Sequence, residues 1–167
     1  MDMNMSMTHY MGLLAANQPW NLIIFMAIPV ICAETIAITE LVILFTRNLN
    51  GTLRKVNKAV SIFAGIYFTG IFFYLLVTAY IPLTVHGQWN GWVDVVAVTF
   101  YLLGIVPLLG IALVEMGLIG RNKSEEEKLK THAFFVGMFL VVSHVAMIFG
   151  MVDPSLVMNH NMANMKM

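Results

Sequence analysis

Four nearly unbroken apolar stretches divide the chain, at about 20–46, 59–81, 92–119 and 132–152. Each is long enough to cross a bilayer, which takes about 20 residues of helix. Strands of alternating polarity are not in evidence. Inside lipid every backbone N–H and C=O needs an internal partner, so the stretches are expected to be helices. Pro29 and Pro107 fall within spans and predict kinks, while Pro82 and the pair Asp153-Pro154 are expected to close the second and fourth. Ser124 followed by Glu127 predicts a capping box on a short helix feeding the last span. The expected fold is an all-α integral membrane protein, a four-transmembrane-helix bundle over 20–152 with tails at 1–19 and 153–167.

Charge fixes the expected orientation. Arg47, Arg54, Lys55 and Lys58 surround the first connection, and Arg121, Lys123, Lys128 and Lys130 fill the third. The second connection carries no positive residue, and Lys166 is the one remaining cation of nine. By the positive-inside rule the two short basic connections are cytoplasmic and both termini lie outside. Trp20, Trp89 and Trp92 then mark the outer interface. The chain is 59% hydrophobic and only 11% charged, with a mean hydropathy of +0.81, values that exclude an ordinary soluble domain. Zero net charge and the lack of a basic patch argue against nucleic-acid binding. The expected location is a bacterial or archaeal cytoplasmic membrane, without a cleaved signal, because the first apolar run starts late and is too long for one.

The chemistry-bearing residues gather in the tails and at a few positions inside the spans. Nine of the fourteen methionines lie near the two ends, alternating as Met3, Met5, Met7 with His9, and as Met158, His160, Met162. Thioethers are soft, uncharged ligands that favour Cu(I), and imidazole also binds copper. In the last span His144, Met147 and Met151 stand at i, i+3 and i+7, on one helical face. Counted along the helix, His144 lies about 18 Å from the inner end. Three acids share the membrane region: Glu34 about 20 Å up, near the level of His144, and Glu40 and Glu115 about 10 and 9 Å up. The expectation is an upper site of Glu34 with His144 and a lower one of Glu40 with Glu115. All three acids are candidate buried acid or proton sites. His132 is placed at the inner interface and needs no special role there.

The Met-rich exported tail together with Met147-x-x-x-Met151 resembles, at the level of motifs, the Met-rich high-affinity copper transporters. The resemblance implies Cu(I) as the metal and capture from outside. The first reading is thus a membrane protein that collects Cu(I) through its Met/His tails and passes it to an intramembrane His/Met/Glu site, for transport, delivery or sensing. A second is a small redox subunit with His144 ligating haem b or lining a quinone pocket. A third is a metal-free, proton-coupled permease built on the acids, or a structural partner subunit. A lipid bilayer and a metal ion are the expected partners, and a homo-oligomer or a companion membrane subunit is compatible with the chain. No Ser/His/Asp or Cys/His constellation falls at one depth, so nucleophilic enzyme chemistry is not expected.

Overall fold

The computed structural model describes residues 7–49, 51–122 and 124–153. The described residues are helical, with no strand among them. A short helix α1 (His9–Ala15) precedes four long ones: α2 (Trp20–Thr46), α3 (Thr52–His86), α4 (Trp92–Glu115) and α5 (Glu125–Met151). These four are long and apolar enough to cross a membrane. Consecutive helices pack side by side, and α5 returns against α2 to close the bundle. One end of the bundle carries both basic connections. The other, the terminal end, carries the first and last described residues and the three tryptophans.

The second span outruns its expected limits at both ends, and Pro82 does not close it. The reason is local. Directly before Pro82, Ile81 N–H donates to Leu76 O, a wider i−5 turn spanning Leu76–Tyr80. The same device stands before Pro29, where Ile28 N–H donates to Ile23 O over Ile23–Ala27. An extra residue in the turn makes room for the proline ring, at the expense of regular helix bonds. In α2 the two carbonyls so released are both satisfied from neighbouring helices. Tyr101 of α4 donates to Phe25 O at 2.6 Å, and Tyr67 of α3 donates to Ile24 O at 3.0 Å. In lipid this rescue is what makes an interior proline tolerable. In α4 the helix is interrupted for one residue at Gly104, three residues before Pro107.

The third span ends at Glu115, short of the expected limit, because the chain turns at Gly117 with φ +73°. The fourth begins earlier than expected, at the Ser124–Glu127 capping box, which is formed in full. The helices α3 and α4 cross in close contact at Gly65. A Cβ added at Gly65 would come within 2.4 Å of Ala112 Cβ and 2.8 Å of Leu108 O, so only glycine allows this approach.

The N-terminal helix is a lid on the terminal end. Thr8 caps it and donates to Gly150 O on α5 at 2.6 Å. His9 donates its backbone N–H to Asp94 Oδ1 (2.7 Å) and its Nδ1–H to Oδ2 (2.5 Å), at the start of α4. Asp94 is fully buried and also accepts Asn90 N–H. Tyr10 and Leu14 turn inwards, and burial pushes the Tyr10 hydroxyl up to about 12.

Candidate functional site

Towards the basic end, side chains from all four long helices meet around His132, which is completely buried. Its Nδ1 is in direct contact with Glu40 Oε2 from α2. Its Nε2 lies 3.1 Å from Ser61 Oγ on α3 and 3.5 Å from Glu115 Oε1 at the end of α4. Glu115 Oε1 also accepts from Arg54 at 2.5 Å. Arg54 reaches Asn57 Oδ1 at 3.4 Å, and Asn57 in turn donates to Thr39 Oγ1 (2.8 Å) and Ile36 O (3.2 Å). Glu40 and Glu115 are only 3% and 5% exposed. Glu40 Oε1 is buried without a hydrogen-bond partner among the described residues.

The charge balance of this cluster is informative. Two carboxylates and one guanidinium leave a single negative charge, which one proton on His132 or Glu40 cancels. Buried charges need such pairing. The hydrogen bonding accommodates both states of His132. With Nδ1–H donated to Glu40, a neutral Nε2 accepts from the Ser61 hydroxyl. An imidazolium Nε2–H donates to Ser61 Oγ instead, with Glu115 Oε1 close by. A serine hydroxyl serves either role by rotating. The arrangement can therefore hold or release one proton without orphaning either ring nitrogen.

One turn above the cluster, Ile36, Ala64, Ile111 and Val136 form an apolar layer, followed by Phe68, Leu108 and Phe139. Above these lies a small cavity of about 40 Å³, bordered by Met26, Tyr101, Ser143 and Met147 and by Tyr10 of the lid. The cluster is thus sealed towards the terminal end. Towards the basic end it reaches the surface through Arg54, whose side chain is 13% exposed.

The structure brings Glu40 and Glu115 together through His132, and separates the expected upper pair. Glu34, expected to be buried, lies on the exposed face of α2, and His144 lies on the exposed face of α5. His144 donates Nδ1–H to Leu140 O of its own helix at 2.6 Å, which leaves Nε2 facing outwards. Met151 is 72% exposed, and of the His144–Met147–Met151 line only Met147 borders the interior cavity. The reason is rotational: Ala146 and Gly150 hold the inward side of this turn, so His144 and Met151 fall on its outer side. A haem on His144 would accordingly sit on the outer face and not between the helices. His9 is latched to Asp94 and Met7 is exposed beside it. Met3, Met5, Met158, His160 and Met162 lie outside the described residues. Among the described residues no three His, Cys, Asp or Glu side chains are arranged to hold a metal ion.

Sequence reasoning passed over His132, Arg54, Asn57, Ser61 and Asp94. A signal was available for three of them. Arg54, Asn57 and Ser61 stand at i, i+3 and i+7, a polar line along one face of the first turns of α3. Two of them are fully buried, and the line faces Glu40, Glu115 and His132.

Fold and site together define a four-helix bundle of membrane-crossing length around a buried ionisable cluster. The chain belongs to a family of unknown function, DUF6803, whose model matches residues 5–166. Comparison with curated proteins and with solved structures finds no match.

Proposed function

We propose that the protein is a proton-linked membrane permease whose proton is carried at His132 between Glu40 and Glu115. The observation that carries this reading is the buried cluster itself: two acids, one arginine and a histidine with Glu40 against one ring nitrogen and Ser61 bonded to the other. Ionisable groups this deep in a membrane domain are costly and mark proton or ion relays. The apolar layer above and the Arg54 exit below support access to the site from the basic end, as one state of an alternating cycle requires. Infrared titration of the reconstituted protein between about pH 5 and 8 tests it. A carboxylic-acid or imidazolium band should appear on acidification and vanish in Glu40→Gln and His132→Gln. Bands that stay constant across that range would remove the proton site.

A second reading is Cu(I) capture at the outer face, and a specific contact favours it. The Thr8–Gly150 bond holds Thr8 against the end of α5, so the described positions nearest the two Met-rich tails lie close together. Their thioethers and His160 can then serve one ion. In this reading His144 and Glu34 take no part in an inward relay. Deleting residues 1–6 and 154–167 together should weaken Cu(I) binding far more than deleting either tail. Unchanged affinity in the double deletion would end this reading and leave the first intact.

A further inference from the structure

A latch between the lid and α4 needs only the backbone N–H of His9, which already donates to Asp94 Oδ1 at 2.7 Å. The His9 ring adds a second bond to the same carboxylate, 2.5 Å from Nδ1 to Oδ2. Asp94 is fully buried in the first turn of α4, where a helix start favours the charged carboxylate. A carboxylate only accepts hydrogen bonds, so this contact holds the ring proton on Nδ1 and leaves the lone pair on Nε2. Nε2 has no hydrogen-bond partner among the described residues, and the His9 side chain is 34% exposed.

A thioether stands next to this imidazole. Thr8, between Met7 and His9, has an extended backbone (φ −64°, ψ 155°), which sends its two neighbours to one side of the chain and Thr8 to the other. Thr8 accordingly points inwards to Gly150 O and is 1% exposed, while Met7 is 38% exposed. Met7 and His9 both border one open groove of about 500 Å³, which Thr78 and Gln88 also line. Asn90 donates Nδ2–H to Met7 O at 3.2 Å. The main chain is thus held on both sides of the pair, at Met7 by Asn90 and at His9 by Asp94.

We propose that Met7 Sδ and His9 Nε2 form a preorganised site for Cu(I), with Asp94 as its positioning residue. Thioether sulfur selects Cu(I), and imidazole binds it too. Metal-ligating histidines donate their other ring N–H to a carboxylate or similar acceptor, which fixes the tautomer and raises the basicity of the ligating nitrogen. Zinc prefers four protein or water ligands, and among the described residues no third His, Cys, Asp or Glu joins His9 and Asp94. Cu(I) accepts two or three ligands, so the pair with one further donor from the groove suffices. The inference rests on the reading of Cu(I) capture at the terminal end, and gives it a site built into the folded lid, apart from the tails.

The test is titration of the full chain in lipid nanodiscs with Ag(I), the air-stable counterpart of Cu(I). With Trp20→Phe and Trp92→Phe, Trp89 is the single tryptophan, its ring centroid 6.4 Å from that of His9. Ag(I) should quench its fluorescence saturably. His9→Gln should abolish this response, Met7→Leu should weaken it, and Asp94→Asn should lower the affinity about 10–100-fold. In the full chain labelled with 15N-histidine, the His9 Nε2 resonance should move on Ag(I) addition while Nδ1 stays protonated, a change that a latch alone would not show. Deleting residues 1–6 and 154–167 should leave the Trp89 response in place even as the total Ag(I) bound falls. A His9 Nε2 resonance unmoved at saturating Ag(I) would overturn the proposal and leave capture by the tails standing. So would a Trp89 response that disappears with the tails, and a chain that binds no Ag(I) at all would end both.

Discussion

Tyr101 donates its hydroxyl proton to the carbonyl oxygen of Phe25, 2.6 Å away, the oxygen that Pro29 leaves without a helical donor. The bond joins α4 to α2 at the wall of the small interior cavity. It turns a defect of one helix into an attachment between two.

That relationship predicts a coupling between residues on different helices. Tyr101→Phe should lower stability by about 1–3 kcal/mol, the loss expected when a buried carbonyl is left unpaired. Pro29→Ala returns an N–H four residues after Phe25, so in that background Tyr101→Phe should be much milder. A double-mutant cycle by thermal unfolding in detergent checks this. Strict additivity would mean that the tyrosine is not serving the carbonyl that proline releases.

The His132 cluster should respond to loss of one partner more than to loss of two. His132→Leu strands Glu40 and Glu115 with a single arginine, and breaking such a buried pair costs about 3–5 kcal/mol. His132→Leu with Glu40→Leu leaves Glu115 matched to Arg54 at 2.5 Å, and should be the more stable of the two variants. Equilibrium unfolding ranks them, and the opposite order would contradict the charge balance described here.

Gly65→Ala should separate α3 from α4. Its Cβ would stand 2.4 Å from Ala112 Cβ, and overpacking of this kind typically costs about 1–3 kcal/mol. Gly70→Ala, on the same helix with nothing within 4 Å, is the matched comparison and should be neutral or slightly stabilising. Equal melting temperatures for the two variants would show that the crossing can open freely.

The lid should release in alkali. Burial raises the Tyr10 hydroxyl from 10 to about 12, so the docked state holds the neutral phenol more tightly than the undocked state does. Docking is therefore undiminished below pH 10 and weakens as pH rises through 12. Trp89, in edge contact with the His9 ring, provides a fluorescence report. The Tyr10→Phe variant should lose this pH dependence, and a transition that persists in it would assign the effect elsewhere.

Helix number and approximate span positions were legible from the apolar runs, because 20-residue stretches leave few other ways to satisfy a backbone in lipid. The lower layer was half legible. Counting rise per residue put Glu40 and Glu115 at one depth, and the structure joins them through His132. The centre itself was missed because His132 was weighed by its sequence position beside a basic connection, when α5 actually begins seven residues earlier at Glu125. Glu34 and His144 failed for a different reason. Depth follows from counting, but facing depends on which neighbours fill the inward side, and in apolar helices small residues such as Ala146 and Gly150 claim it without a visible pattern. The effect of Pro82 was misjudged because a wide turn absorbs the ring before the helix has to stop.

The lid also changes what the N-terminus is. From Thr8 onwards the chain is roof, tied to α5 through Gly150 and to α4 through Asp94. A truncation that stops before Thr8 leaves both ties in place. One that runs to Ala15 removes Tyr10 from over the cavity and strips Asp94 of two of its three hydrogen-bond donors, and so opens the end of the membrane domain.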